Sequence, residues 1–298
     1  MESLLKTLKQ NGELLINEPI KRHTSFRIGG TVEYFIKPKN VFNLKQCLLL
    51  AASHNIPVTV IGRGTNLLVK DSGIPGLVIK LGKEFDYIYI SKETVIAGAS
   101  SLLPAVAIKT MQSGLKGLEW AIGIPGSVGG AVVMNAGAHG YSVSEVVKYI
   151  KILSYTGEIL EFSRDQMDFC YRGSIIKDRE LGIILEAVFE LKSENKYLIK
   201  ERMKKYIAKR RIMQPRGYPN AGSIFKNPAG DSAGRLIELA GCKGLKVGNA
   251  VVSEKHANWI INLGGASFED VMTLIDIIKS RVKNKFDIYL QLEVRVLG

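Results

Sequence analysis

The stretch Pro57-Val-Thr-Val-Ile-Gly62-Arg63-Gly64-Thr65-Asn66-Leu67-Leu-Val69 decides the fold. Its β-branched first half reads as a buried strand, and that strand runs straight into a glycine turn. A dinucleotide-binding fingerprint needs a third glycine at position 67 and a long helix behind it, but Leu67 stands there. A phosphate loop of the Walker type fails as well, because no Gly-Lys-Ser/Thr follows. What remains is a strand ending in a turn tipped by Thr65 and Asn66. Successive backbone N–H groups in such a turn can form an anion nest.

Downstream lies a second glycine-rich stretch, Gly123-Ile124-Pro125-Gly126-Ser127-Val-Gly129-Gly130-Ala131-Val-Val-Met-Asn135-Ala-Gly137-Ala-His-Gly140. Its glycines fall in two clusters around the apolar run Ala131 to Met134. A backbone with so few Cβ atoms reaches φ > 0 freely and can approach a ligand closely. A pair of tight turns would satisfy the pattern. Two such loops in one chain favour a backbone cradle for a large flat or phosphorylated ligand.

Around these loops the periodicity predicts alternating helices and strands. Val41 to His54, Leu102 to Ser113, Ala233 to Ala240 and Ser267 to Lys283 read as helices. Strands are expected at Tyr34 to Ile36, Leu77 to Leu81, Tyr87 to Ile90, Thr94 to Gly98, Ile183 to Leu191, Trp259 to Asn262 and Ile288 to Leu297. Val146 to Tyr155 and Glu158 to Phe162 form a hairpin around Thr156-Gly157. Residues 1–16 read as a short helix and a lead-in. The basic stretch Lys21 to Gly30 reads as either a turn or a phosphate contact. The polar Ser193-Glu194-Asn195 marks the expected boundary between a domain over 1–193 and another over 194–298.

A chain of 298 residues can bury a large core, and 46% hydrophobic with 23% charged residues matches an ordinary soluble protein. No apolar run spans a bilayer and no signal peptide is evident, so a cytoplasmic protein without membrane partners is expected. Cys47, Cys170 and Cys242 form neither a disulfide framework nor a metal motif. The net charge is +13, and its densest cluster is Lys200 to Arg211, where Met203, Ile207 and Arg211 recur at four-residue spacing beside Tyr206. The spacing reads first as a helix with a solvated basic face, second as attraction for anionic substrates, and only distantly as a nucleic-acid surface. No nucleic-acid-binding motif accompanies it.

Four stretches taken together resemble the UDP-N-acetylenolpyruvoylglucosamine reductase (MurB) family. They are His23-Thr-Ser-Phe-Arg-Ile-Gly-Gly30, Gly62 to Leu68, Gly123 to Ala131 and Asn220-Ala-Gly-Ser223-Ile-Phe-Lys226-Asn227-Pro228. Tyr171-Arg172-Gly-Ser174 and Leu292-Glu293-Val-Arg295 complete the set, in order along nearly the whole chain. The resemblance is to the shorter branch, without an inserted tyrosine loop. It implies an α+β protein: an FAD-binding domain of the vanillyl-alcohol-oxidase (PCMH) type followed by a C-terminal α/β substrate-binding domain. It also implies non-covalent FAD, NADPH as reductant, and reduction of UDP-N-acetylglucosamine enolpyruvate to UDP-N-acetylmuramate. By this likeness Gly62, Arg63, Gly64, Thr65, Asn66 and Leu67 wrap the FAD pyrophosphate. Gly123, Ile124, Pro125, Gly126, Ser127, Gly129, Gly130 and Ala131, with Asn135 and Gly137, lie along the cofactor.

The likeness assigns the chemistry to three residues. Arg172 clamps the substrate carboxylate, which a planar guanidinium can do bidentately. Ser223 is the proton donor. Glu293 matches the family's glutamate and is useful near an enediolate only if protonated or if it orients a donor. Tyr171, Lys226 and Asn227 are expected substrate contacts. No residue is expected to bind metal. Met213 departs from the family, which often carries Lys before Gln214-Pro215, and Arg211 or Arg216 is expected to substitute. His139 is expected to face solvent and to make no covalent flavin bond. Two other readings compete: another flavin-dependent oxidoreductase on the same scaffold, and a basic nucleic-acid-associated protein.

Overall fold

The computed structural model describes residues 2–179 and 181–298. Three sheets carry most of the strands. One is four-stranded, in the order Gly12–Pro19, Thr31–Pro38, Ile74–Lys80, Val58–Ile61, with the last two parallel. The second is a five-stranded antiparallel sheet in the order Ile159–Ser163, Val147–Ser154, Gly182–Glu190, Thr94–Gly98, Ile88–Ser91. The third is antiparallel, in the order Asn220–Ser223, Trp259–Asn262, Ala250–Val252, Lys246–Val247. Helices and strands alternate without the parallel, doubly wound sheet that a dinucleotide fingerprint would have required.

The chain divides into two compact units, and neither follows the boundary expected at 193/194. The first comprises residues 1–16, 34–63 and 76–210; the second comprises 17–33, 64–75 and 211–298. Hydrophobic burial accounts for the difference. The helix Lys196–Met213 buries Ile199 and Met203 in the core of the first unit, beside Trp120, Val147 and Leu191. The core of the second unit draws Phe26, Ile28 and Leu68 from early in the chain onto Ile224, Phe225, Leu274 and Val294. A second core in the first unit packs Leu4 and Leu8 on Leu44, Leu48, Leu77 and Leu185.

Local chemistry explains where the main helices start. Asn40 caps Val41–Ser53 by accepting from Asn43 N at 3.0 Å. Ser267 and Asp270 form a reciprocal capping box at the head of Phe268–Phe286. That helix buries Phe268, Val271, Leu274, Ile275, Ile278 and Val282, the stripe its sequence period dictates. Residues 12–19 form a strand where only a lead-in was expected.

The expected last strand, Ile288 to Leu297, is shorter. Only Arg295–Leu297 joins a ladder, parallel to Leu67–Val69. The segment before it is held by single bonds to a neighbouring loop, Lys226 N to Gln291 O at 2.8 Å and Glu293 N to Ile224 O at 2.8 Å. Together they form an isolated antiparallel bridge, Phe225 opposite Leu292, which satisfies those groups without a ladder. Among the described residues no helix is long and apolar enough to cross a membrane.

Candidate active site

In the first unit the two glycine stretches meet. A Cβ built on Gly62 would fall 2.6 Å from Ser127 Oγ, so the end of the strand Val58–Ile61 touches the middle of the second loop. That loop is neither all turn nor strand. A short 3-10 turn, Glu119–Gly123, leads to the extended Ile124 to Ser127, and Ser127 caps the six-residue helix Val128–Val133. Gly126 takes φ +149, a conformation that L side chains rarely adopt. Val128, Gly129 and Ala131 are buried, whereas Pro125 and Gly130 remain exposed. The exposed Gly62, Pro125 and Gly130 leave this stretch of backbone open to a ligand.

The loop carries a cation that the sequence reading missed. Arg210 lies across Gly123, where a Cβ would stand 2.2 Å from Arg210 Cδ. Burial lowers the affinity of its guanidinium for the proton, and no carboxylate among the described residues pairs with it. The signal was present in the helical period. Met203, Tyr206 and Arg210 fall at i, i+3 and i+7, one face of Lys196–Met213. That face is not wholly solvated. Arg202 is ion-paired to buried Glu119 at 2.6 Å and also to Glu194. Tyr206 stacks on His139 with ring centroids 4.2 Å apart and planes 15° apart.

His139 therefore departs from the solvent-facing position expected of it. Its Nε2 is buried with no hydrogen-bond partner among the described residues. Burial first, then Lys209 and Arg210, holds the imidazole below its ordinary range.

Arg172, half-buried, sits in a turn of the first unit with φ +60, a left-handed conformation that costs a non-glycine residue about 1–3 kcal/mol. Its Nη2 donates to Gly137 O at 3.2 Å, and its guanidinium lies 5.0 Å from the ring centre of exposed Tyr171. Asn135, expected among the cofactor contacts, is buried at 6% and directs its amide inward, to Cys170 O and Ser144 N. Gly137 begins a two-residue hairpin with Tyr141–Ser142.

In the second unit, Gly64 takes φ +67 and has no room for a Cβ, which would fall 2.1 Å from His23 O. The basic stretch around it is a turn. Ser25 N donates to Gly64 O at 3.0 Å and Ser25 Oγ to Asn220 O at 2.6 Å, tying the glycine turn to the strand Asn220–Ser223. Asn66 does the same for Glu293, donating from Nδ2 to Glu293 O at 3.0 Å. Since Glu293 N bonds Ile224 O, the residue after Ser223, the structure brings Asn66, Ser223 and Glu293 onto neighbouring segments. Ser223, Glu293 and Thr65 are half-buried. Lys226 is half-buried as well. Asn227 is exposed, but its Oδ1 accepts from Ala233 N at 3.1 Å and serves the next helix. Met213, Arg211 and Arg216 are all exposed.

Residues 214–297 match the model of the UDP-N-acetylenolpyruvoylglucosamine reductase C-terminal domain, and residues 32–163 match an FAD binding domain. A UDP-N-acetylenolpyruvoylglucosamine reductase of Desulforamulus reducens is 47% identical over the whole chain and 96% of its own length. One of Bacillus subtilis is 43% identical over the whole chain and 99% of its own. The crystal structure of the Thermus caldophilus enzyme superposes with a TM-score of 0.81 at 35% identity, covering 96% of this chain and 99% of that one.

Proposed function

The chain belongs to the UDP-N-acetylenolpyruvoylglucosamine reductase family, and from that premise we propose that it reduces UDP-N-acetylglucosamine enolpyruvate to UDP-N-acetylmuramate at the expense of NADPH. It is an FAD-dependent oxidoreductase of peptidoglycan biosynthesis. When bound, FAD would supply the hydride-transfer chemistry between NADPH and the terminal carbon of the enolpyruvyl ether. The residues that would hold it are Gly62 and the Gly123 to Ala131 loop, with Arg210 offering a guanidinium to an anionic group beside Gly123.

Hydride arrival pushes electron density into the substrate carboxylate, giving an enediolate-like species. Arg172 binds that carboxylate, and its two parallel N–H donors match both oxygens as charge grows. Ser223 Oγ gives its proton to the carbon next to the carboxylate. A hydroxyl is a weak acid in water, so the step depends on the strong basicity of the carbanion-like acceptor. Glu293 acts in its protonated form or through a donor that it orients, because a bare carboxylate would repel the intermediate. Its backbone bond to Ile224 supports a place beside Ser223.

The meeting of Gly62 with Ser127 carries the reading, since it joins two glycine stretches far apart in sequence into one ligand-sized backbone surface. The experiment is anaerobic spectroscopy of the purified protein. Its flavin absorbance should bleach on adding NADPH and return on adding UDP-N-acetylglucosamine enolpyruvate. Bleaching without recovery would leave a flavin reductase with another substrate. A colourless protein that cannot be reconstituted with FAD would end the flavin reading itself.

A further inference from the structure

We propose that Asn135 is a positioning residue for Arg172, holding the arginine turn in register with the glycine loop. This rests on the reading of Arg172 as the carboxylate clamp. The orientation of the Asn135 amide follows from chemistry. Ser144 N can only donate, so the atom 3.0 Å from it is the oxygen, and the nitrogen faces Cys170 O at 3.0 Å. One buried amide therefore joins the 3-10 turn Val143–Glu145, at Ser144, to the carbonyl two residues before Arg172. Two further bonds run between the same segments, Arg172 Nη2 to Gly137 O and Ser174 Oγ to Val133 O at 2.9 Å. Lys177 Nζ caps the Arg172 carbonyl from the following helix at 3.0 Å.

Arg172 needs such bracing because its backbone is left-handed, at φ +60, which persists only where the surroundings determine it. The bond from Arg172 to Gly137 O uses one of the five guanidinium N–H groups, leaving others for a substrate carboxylate. The Asn135 and Ser174 bonds hold the turn. Asn135 is also left-handed, at φ +40, a conformation that Asn tolerates better than most residues.

The test uses the full-length holoenzyme and separates the two half-reactions. Asn135→Gly keeps access to positive φ and removes both amide bonds. Asn135→Asp keeps the acceptor for Ser144 N and replaces the donor to Cys170 O with a second acceptor oxygen that repels that carbonyl. In both variants flavin absorbance and bleaching by NADPH should stay within about threefold of the parent. Reoxidation by the enolpyruvyl substrate should fall about 10- to 100-fold, the scale of a misplaced clamp. Asn135→Gly should add nothing further to an Arg172→Ala enzyme, because it acts through that residue. Full penalties that multiply in the double variant would overturn the proposal and leave the role of Arg172 standing. So would an Asn135→Asp enzyme that reoxidises normally. An Arg172→Ala enzyme with unchanged reoxidation would overturn the clamp reading and this proposal with it.

Discussion

A serine hydroxyl can protonate carbon only when that carbon is strongly basic, so the role of Ser223 separates the two half-reactions. Ser223→Ala should leave flavin bleaching by NADPH near its normal rate and slow reoxidation by about 10²–10⁴-fold, the usual contribution of a placed proton donor. Equal slowing of both halves in stopped-flow would make Ser223 structural. The thiols offer a second measurement at this scale. Cys170 is exposed, whereas Cys47 and Cys242 are buried, and burial pushes the Cys47 thiol up to about 12. A native titration with a disulfide reagent near pH 8 should find one fast thiol, with the other two appearing on denaturation. Ser223, Glu293 and Arg172 were legible as residue types inside recognisable motifs. The left-handed backbone of Arg172 was not, because nothing in Tyr-Arg-Gly-Ser states which residue of the turn takes positive φ. The inward amide of Asn135 was hidden for a related reason: one of its partners, Cys170, lies 35 residues away.

The element that the sequence half revealed is the helix Lys196–Met213. Its charge density pointed to a solvated basic face, and Lys204, Lys205 and Lys209 are indeed exposed. The other face carries Ile199, Met203, Tyr206 and Arg210, and Arg202 reaches Glu119, which is only 8% exposed. Glu119 also accepts from Gly117 N at 2.6 Å, so its carboxylate depends on donors fixed by the fold. Arg202→Ala removes its cation and strands a buried charge. The expected loss is about 2–3 kcal/mol, toward the low end for a broken buried pair because Arg202 is partly exposed. Thermal unfolding should register it as a fall in Tm of roughly 5–10 °C. A fall within a degree would mean that water replaces the arginine. A spacing count alone assigned Arg211 to the apolar stripe. The stack of Tyr206 on His139 shows that the buried face is rotated toward Arg210, which only the tertiary partner could reveal.

At the scale of the molecule, the expected cut at 193/194 conflicts with where the apolar surface goes. The core of the second unit includes Phe26, Ile28 and Leu68, each at most 2% exposed, and its last strand pairs with Leu67–Val69. The polar Ser193 to Asn195 looked like a linker because composition reports exposure, not chain connectivity. The order of the motifs was readable from sequence, but the return of residues 17–33 and 64–75 to the C-terminal unit was not. Long-range pairings leave no local pattern. A fragment of residues 194–298 would expose Ile224, Phe225, Leu274 and Val294 where those three side chains belong. It would also leave Arg295–Leu297 without its ladder. Each large apolar side chain removed from a core costs about 2–5 kcal/mol, and a unit of ordinary stability holds about 5–15 kcal/mol in all. Three lost together exceed or consume that margin. Expressed alone, residues 194–298 should lack dispersed amide resonances and a cooperative thermal transition, whereas the full chain shows both. A folded fragment would mean that the early segments merely decorate a core complete without them.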